Sequence, residues 1–466
     1  MAEQVSAEIQ NERAEKKRQQ MLHSPIPKLI LSMSLPTTMA QLITVIYSFA
    51  DTLFVSHIST TATASVSIGF SLMSFIQAIG FGFAMGAGSM ISFSLGKGDR
   101  DKANRVASGA AFYAVLAALI FMVFGLIFIR PFMYALGASD TSIDMACEYA
   151  RYIIIGAPVM CLTFVMNVAL RSEGHAFMAM TCTGTGGLLN IALDAIFVLA
   201  LNMGVGGAAL ATLLSQIVSA TLLAIPFLLK RSIVRISPKL ISTNIRDYYD
   251  MLRHGFPTIA RQGIASLAMA LLSNQGKVYG DAVVGALGIT YKVYVFGRSL
   301  TIGIGQGFMP VAGYNFAQKQ NKRVRQAFWF STALATGICV ALAAAMALFP
   351  EPIILLFQDD PELVSAGTAC LRYLAIALPF IGYSTLANQL LQCLGYSIPA
   401  TLLASCRQGI FFVPLILLLP IAFGLYGVEV TQAAADILTF IVTVPIQIIF
   451  FKKILPLKKE EEAKTE

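Results

Sequence analysis

The sequence predicts an all-α polytopic membrane protein whose twelve transmembrane helices form two six-helix lobes. Three observations predict this fold class. The 466 residues are 56% hydrophobic and 12% charged, whereas soluble domains carry about 25% charged residues. Apolar runs of roughly the 20 residues that a helix needs to cross a bilayer recur along the chain. The second half of the chain also repeats the first at a nearly constant offset.

The chain begins with a polar stretch of mixed charge, from Glu12 to Arg18. No apolar segment follows a short basic one there, which argues against a cleaved signal peptide. We interpret residues 1–27 as a solvated N-terminal tail in the cytoplasm. From there the apolar periodicity predicts twelve spans, near residues 29–54, 66–95, 106–129, 149–170, 178–201, 205–229, 251–275, 283–315, 327–349, 370–393, 399–420 and 424–450.

These spans divide the chain into an N-lobe at 28–229, an inter-lobe linker at 230–250, a C-lobe at 251–451 and a C-terminal tail at 452–466. Of the 33 Lys and Arg residues, 25 fall in the two tails and in the loops on one side of the membrane. Cytoplasmic loops of membrane proteins carry an excess of Lys and Arg. The linker and both termini are therefore predicted to be cytoplasmic.

An internal duplication supports this count. An offset of 221 aligns the two halves, and it drifts to 223 for spans 2 and 8; the pairs include Pro36 with Pro257, Asn167 with Asn388, Pro158 with Pro379 and Gly80 with Gly303. Because six spans are duplicated and six is even, both halves enter the membrane in the same direction. Such parallel repeats are related by an axis along the membrane normal and are typical of transporters with a central cavity.

Polar residues inside the spans carry the functional prediction. Asn190 and Asp194 are four residues apart and so share one helix face, and an aspartate at the centre of a membrane-spanning helix costs about 2.5–3.5 kcal/mol on insertion scales. Asp51, Asn190 and Asp194 align with Leu272, Phe411 and Leu415 in the second half. The fold therefore does not require them. A single buried aspartate can still be a packing or capping residue, but carboxylate, amide and hydroxyl oxygens together suit a proton or a hard cation.

Several motifs resemble one known family. They are Tyr47-Ser-Phe-Ala-Asp51-Thr52, Ala87-Gly88 with Leu95-Gly96-Lys-Gly98, Asn190-x3-Asp194 followed by Gly206-Gly207 and Thr212, and Gly305-Gln-Gly307-Phe-Met-Pro310. Over about residues 28–452 the chain resembles the multidrug and toxic compound extrusion (MATE) family, and within it the DinF-like branch. The resemblance implies a V-shaped pair of lobes that exchanges organic compounds for sodium ions or protons.

In the DinF-like branch the cation site uses the positions that Asp51, Asn190, Asp194 and Thr212 occupy here. The NorM-like branch instead places carboxylates in spans 7 and 10, and this chain has none in those helix cores. The resemblance thus implies one coupling site for H+ or Na+, in the N-lobe. For the substrate cavity we predict Gln41, Tyr47, Met73, Gln262 and Lys292.

Other charged side chains inside the spans have structural alternatives. Lys292 is either a structural cation or a residue of the cavity, and Arg407 with Asp436 is interpreted as an internal ion pair. The seven cysteines include no C-x-x-C pair, so packed thiols are expected rather than a metal site or disulfides. The glycine runs in spans 2 and 8 lack a following P-loop lysine and are interpreted as close-packing points.

The sequence therefore predicts a secondary active exporter of amphipathic or cationic organic compounds, not an enzyme, in a bacterial cytoplasmic membrane. We expect no cofactor, no nucleic acid and no ATPase subunit, and a monomer whose partners are its small organic substrates and the lipid bilayer. The nearest alternative is a flippase for lipid-linked saccharides. An ion channel or a membrane-embedded enzyme is less favoured, because two repeated lobes and no nucleophile or metal set are seen.

Overall fold

The computed structural model describes residues 2–56, 60–242, 244–279, 281–357 and 361–456, and this part of the chain is helical with short turns. The helices of the first half are α1 Ala2–His23, α2 Ile26–Ser56, α3 Thr60–Lys97, α4 Arg100–Ile127, α5 Ile129–Ala135, α6 Ile143–Ser172, α7 Ala176–Asp194, the π-helical segment π1 Ala195–Ala200, and α8 Gly204–Leu228. Those of the second half are α9 Ile245–Lys277, α10 Asp281–Ala317, α11 Asn321–Leu348, α12 Pro350–Leu355, α13 Pro361–Cys393, α14 Ser397–Ser405, the π-helical segment π2 Cys406–Ile410, α15 Phe412–Phe423, and α16 Leu425–Lys453.

Each of the twelve predicted spans corresponds to a long helix. Ten of these helices are long and apolar enough to cross a membrane, with α7 continuing into π1 and α14 continuing through π2 into α15. The helices at predicted spans 7 and 8, α9 and α10, are 33 and 37 residues long but more polar, and they are not among those ten. The all-α fold class predicted from the sequence is confirmed.

The chain forms two compact units, which we call unit 1 and unit 2. Unit 1 comprises Met1–Ser24 and Met39–Gln262, and unit 2 comprises Pro25–Thr38 and Gly263–Glu466. These units divide the chain differently from the predicted lobes at 28–229 and 251–451. The first part of α2 packs with the second half of the chain, and the first part of α9 packs with the first half.

Glycines on α10 explain why the first part of α2 lies in unit 2. A Cβ on Gly303 would lie 2.5 Å from the Cα of Thr38, and a Cβ on Gly307 would lie 2.5 Å from the Cα of Ser34. The two backbones are therefore in direct contact. The Thr37 hydroxyl donates to the carbonyl of Gly303 at 2.6 Å, which adds a hydrogen bond across the contact.

Unit 1 contains the matching contact between α3 and the first part of α9. A Cβ on Gly255 would lie 1.9 Å from the carbonyl oxygen of Gly82, and a Cβ on Gly86 would lie 2.0 Å from that of Met251. Ser89 and His254 are hydrogen bonded at 3.1 Å beside this contact. The glycine runs are thus close-packing points, as predicted. The first part of one long helix packs against each run.

The N-terminal stretch is a helix that is packed on the protein at some positions and exposed at others. It forms α1, which lies on unit 1 with Met21 and Leu22 buried. The Arg18 guanidinium donates to the carbonyl of Gly96 at 3.0 Å, and the Gln10 amide donates to the carbonyl of Lys230 at 3.0 Å. Although most residues of this helix are polar, the apolar residues at its end are buried and hold the helix against the protein.

The predicted linker at 230–250 is also packed on unit 1, through a buried carboxylate. Glu173 is 0% exposed, and one of its oxygens accepts hydrogen bonds from Ser232 Oγ at 2.8 Å and from the backbone amides of Ile233 and Val234 at 2.8 and 2.9 Å. The other oxygen bonds His175 Nδ1 at 2.8 Å. Of the predicted C-terminal tail, residues 457–466 lie outside the described part of the chain.

The duplication is visible in the packing. Asn167 Nδ2 donates to the carbonyl of Ala179 at 3.3 Å, and its repeat partner Asn388 donates to the carbonyl of Ala400 at 2.5 Å. Both bonds join a long helix to the helix that follows it. All seven cysteines are free thiols, and six of them are buried, which confirms the prediction of packed thiols.

Candidate cation site in unit 1

Three helices of unit 1 bring the predicted cation-site residues together. Asp51 lies near the end of α2, Asn190 and Asp194 lie on the last two turns of α7, and Thr212 lies on α8. All four are buried, with exposed fractions of 4%, 2%, 0% and 7% in that order. The carboxylates of Asp51 and Asp194 are close enough to interact electrostatically.

Oxygen atoms of this cluster lack donors. The Asn190 amide donates to Thr212 Oγ1 at 3.4 Å, which turns its carbonyl oxygen away from Thr212. In the described part of the chain no hydrogen-bond donor reaches that oxygen, Asp51 Oδ1 or either carboxylate oxygen of Asp194. Buried polar atoms are nearly always hydrogen bonded, so four unsatisfied acceptors in one place form a set that suits a positively charged partner.

Glycines on α7 allow the three helices to approach. A Cβ on Gly186 would lie 1.7 Å from Ser219 Oγ and 3.0 Å from the carbonyl of Ser215, both on α8. A Cβ on Gly187 would lie 3.3 Å from the ring of Tyr47 on α2. The glycine face of α7 thus allows α8 and α2 to pack closely, with their polar residues near Asn190 and Asp194.

The backbone changes from α-helix to π-helix after Asp194. Helix α7 ends there and π1 begins, with Leu201 N donating to the carbonyl of Ile196 at 2.9 Å. A tight turn follows, in which Asn202 and Gly204 have φ of 50° and 63°. Single-turn π-helical segments are rare and occur frequently at functional sites. Composition and hydropathy gave no indication of this one.

The predicted cavity residues are divided between the two units. Tyr47 lies one turn from Asp51 on α2, and Met73 is buried in unit 1. Gln262, predicted in the C-lobe, lies in unit 1, where its amide donates to Gln77 at 3.4 Å. Gln41 is also in unit 1, whereas Lys292 lies on α10 in unit 2.

Sequence analysis missed Tyr149. This side chain is fully buried and interacts electrostatically with Asp51, Asp194 and Tyr47. Its hydroxyl lies 3.9 Å from the sulfur of Met73, so Met73 joins the cluster indirectly. Comparison of the two halves could have identified it, because the repeat position of Tyr149 is Cys370. The same comparison had singled out the aspartates.

The cluster presents mainly hydrogen-bond acceptor oxygens. Two carboxylates, one amide oxygen and one hydroxyl are oxygen ligands, which suit hard cations. Within the described residues no group of three or more His, Cys, Asp or Glu side chains is placed to hold a metal ion. The site fits protons or an alkali cation better than a transition metal.

The model of one protein family matches both halves of this fold. The MatE family model matches residues 36–196 and again residues 259–418. The two matches together cover more than half of the chain, and they correspond to the two halves of the duplication. The chain belongs to the MATE family. As a member of this family it is a multi-pass membrane transporter rather than an enzyme.

Curated relatives of this MATE protein are multidrug exporters. The chain is 26% identical over 408 residues to the multidrug export protein MepA of Staphylococcus aureus strain MRSA252, and this match covers 87% of the chain and 90% of the relative. It is also 26% identical over 411 residues to MepA of Staphylococcus haemolyticus, covering 87% and 89%. The alignments span nearly the whole transporter.

Solved MATE structures share the fold. A crystal structure of MATE in complex with MaL6 has a TM-score of 0.89 and 25% identity, covering 93% of this chain and 98% of that one. A MOP superfamily transporter from Pyrococcus furiosus, whose binding pocket is described as having reversed polarity, has a TM-score of 0.88 and 25% identity over the same shares. These matches confirm the predicted two-lobe helical fold.

Proposed function

We propose that this chain is a secondary active multidrug exporter of the DinF-like branch. It exchanges amphipathic, cationic organic compounds for H+ or Na+ by alternating access, and the ion binds at Asp51, Asn190, Asp194 and Thr212. It works as a monomer in a bacterial cytoplasmic membrane with both termini in the cytoplasm. The multidrug export function of its MepA relatives favours this substrate class over lipid-linked saccharides.

One observation carries the proposal. The two aspartates of unit 1 are buried together with acceptor oxygens that no donor satisfies. A buried carboxylate costs several kcal/mol unless it is neutralised or paired. A proton or a sodium ion from the external medium removes this cost, so the empty and occupied sites favour different arrangements of unit 1.

Coupling follows from this difference. An ion that binds one state of a transporter more tightly shifts the population toward that state. The substrate must favour the other state, and the coupling free energy between two such sites is typically about 1–3 kcal/mol. The turn after Asp194 and the π1 segment lie next to the carboxylate, so ion binding acts directly on the α7–α8 hairpin.

Transport in proteoliposomes tests the function and identifies the ion. The purified protein is reconstituted and dye movement is followed with a pH gradient in the absence of sodium, and separately with a sodium gradient at equal pH on both sides. We expect one of these gradients to drive dye transport and Asp194→Asn to abolish the driven transport. Transport that proceeds at the parental rate in Asp194→Asn would show that the carboxylate is structural.

A matched control is available in unit 2. Glu429 is a buried carboxylate on α16, and it is not part of the cluster. Glu429→Gln should retain ion-driven transport. Loss of coupling in Glu429→Gln or Asp436→Asn, with coupling retained in Asp194→Asn, would move the ion site to unit 2.

A further inference from the structure

Unit 2 contains a second buried polar cluster, built around Asp436 on α16. The carboxylate accepts from Arg407 Nε at 2.8 Å, from the Tyr294 hydroxyl at 2.6 Å and from the Gln432 amide at 3.2 Å. The Asp436 side chain is 1% exposed. Because both of its oxygens are hydrogen bonded, this carboxylate neutralises Arg407 and differs from the two aspartates of unit 1.

A second guanidinium lies beside this pair. Tyr291, Tyr294 and Arg298 follow one another at spacings of three and four residues, so they share one face of α10. Arg298 interacts electrostatically with both Arg407 and Asp436. Among the described residues no carboxylate lies within 4.0 Å of Arg298, since Asp436 pairs with Arg407. The cluster therefore has two guanidinium groups and one carboxylate.

The position of Arg298 makes this surplus charge costly. Arg298 is 17 residues from the start of α10 at Asp281 and 19 residues from its end at Ala317, which is about 26 and 28 Å at 1.5 Å per residue. An arginine side chain is too short to reach either end of the helix. A charge held at this depth is expensive and is a functional hypothesis by default.

The backbone and the repeat give independent support. Arg407 and Gln408 lie on π2, and Gln408 donates to the Tyr291 hydroxyl at 3.4 Å. Each of the two π-helical segments thus adjoins a charged cluster, π1 at Asp194 and π2 at Arg407. At the offset of 223 that aligns spans 2 and 8, the first half has Phe75 in place of Arg298, and at 221 it has Gly186 in place of Arg407, so the fold does not require these cations.

We propose that Arg298 and Tyr291 form an anion-binding position in unit 2 for the carboxylate or sulfonate group of an amphipathic substrate. The proposal rests on the export function above and extends its substrate class to zwitterionic and anionic compounds. A guanidinium binds a carboxylate through two parallel hydrogen bonds. The Tyr291 hydroxyl accepts from Gln408 and keeps its own proton to donate.

Two matched dyes test the proposal: a rhodamine that carries a free carboxylate and its ethyl ester, which lacks that charge. Their dissociation constants are measured by fluorescence polarisation on the full-length protein in detergent, for the parental chain and for Arg298→Gln. Loss of a hydrogen bond to a charged group corresponds to about a tenfold or greater weakening. We expect Arg298→Gln to weaken binding of the acid by this factor and to leave the ester unchanged.

Arg298→Lys keeps the charge but not the two-pronged geometry, and should restore part of the affinity for the acid. If Arg298→Gln is not monodisperse on gel filtration, Tyr291→Phe and Arg298→Lys provide the same comparison. Equal weakening of both dyes, or of neither, would overturn the anion position. Absence of ion-driven transport of either dye by the parental protein would instead contradict the export function, while the binding measurement would still decide the role of Arg298.

Discussion

Four of the buried carboxylates among the described residues fall into two kinds. Glu173 accepts four hydrogen bonds, including two from backbone amides, and Asp436 is saturated by Arg407, Tyr294 and Gln432. Asp51 and Asp194 have buried oxygens that no donor satisfies among the described residues. The first kind stabilises the native packing, and the second kind is destabilising unless the carboxylates are neutralised or paired.

This distinction predicts that substitution of the two aspartates of unit 1 affects transport rather than folding. Asp51→Asn and Asp194→Asn should each abolish drug resistance in cells while leaving expression near the parental amount, because each removes a charge that the fold does not use. Minimum inhibitory concentrations and membrane protein content measure the two quantities. Loss of expression together with resistance would mean that the aspartates are structural.

The neutral members of the site should have smaller effects. Asn190→Ala and Thr212→Ala each remove one oxygen ligand and the hydrogen bond between the two residues. A net loss of about 1 kcal/mol corresponds to roughly fivefold weaker apparent ion affinity. Ion titration of dye transport in proteoliposomes measures this change, and unchanged ion affinity in both variants would remove them from the site.

At the residue scale the sequence predicted which polar residues lie buried together in unit 1 but not their surroundings. Comparing the two halves singled out Asp51, Asn190 and Asp194, because only the first half has polar residues there. The direction of the Asn190 amide and the presence of Tyr149 depend on how α2, α6, α7 and α8 pack. No local pattern contains that information.

The helices themselves show where apolar periodicity is sufficient. The predicted spans overlap the observed helices throughout, since burial and lipid exposure both demand long apolar runs. The π-helical segments were not predicted, because one extra residue in a turn changes no composition. The docking of α1 was missed because a few apolar residues at the end of a polar helix decide it.

Glycine contacts give a prediction for α10. Gly303→Ala places a methyl group 2.5 Å from the Cα of Thr38, and a backbone atom cannot rotate away. We expect a loss of stability of about 1–3 kcal/mol from this overpacking. Gly337→Ala on α11 is the control, because its Cβ would meet nothing within 4 Å and Ala is favoured over Gly in a helix by about 1 kcal/mol. Thermal unfolding in detergent should rank Gly337→Ala above the parental protein and Gly303→Ala below it.

The buried carboxylate at the turn after α6 gives another prediction. Glu173→Ala leaves the backbone amides of Ile233 and Val234 without their acceptor, at about 1–3 kcal/mol for each buried unsatisfied group. The Ser232 hydroxyl still has the carbonyl of Val234 as an acceptor at 2.8 Å. Burial lowers the pKa of the nearby Lys17 on α1, and the charge of Glu173 opposes this shift. Loss of Glu173 should therefore also loosen α1.

Limited trypsin digestion measures the effect, since Lys230, Arg231 and Arg235 flank the released segment. Glu173→Ala should be cut there at protease concentrations that leave the parental protein intact. The exposed Glu12 on α1 provides the control, and Glu12→Ala should resist digestion as the parental chain does. Equal resistance of all three proteins would show that the carboxylate does not hold the segment.

At the scale of the whole molecule, the duplication determines more than the helix count. The family model matches both halves, and each compact unit contains the first part of one long helix that belongs to the other half of the chain. The sequence marked the glycine runs as packing surfaces. It could not indicate which helix packs there, because these contacts join residues that are 266 and 165 positions apart in the sequence.

A parallel repeat makes a strict prediction for topology, because equivalent loops of the two halves must lie on the same side of the membrane. Lys102 and Lys322 are exposed positions beside the corresponding loops of the two halves, between spans 2 and 3 and between spans 8 and 9. In a background without the seven native cysteines, Lys102→Cys and Lys322→Cys should both be shielded from an impermeant thiol reagent in intact cells and should react after permeabilisation. Thr141→Cys, in the exposed turn between α5 and α6, should react without permeabilisation. The excess of Lys and Arg sets the direction of the prediction, so labelling of both lysine positions in intact cells would reverse the orientation, and labelling of one alone would contradict the parallel repeat itself.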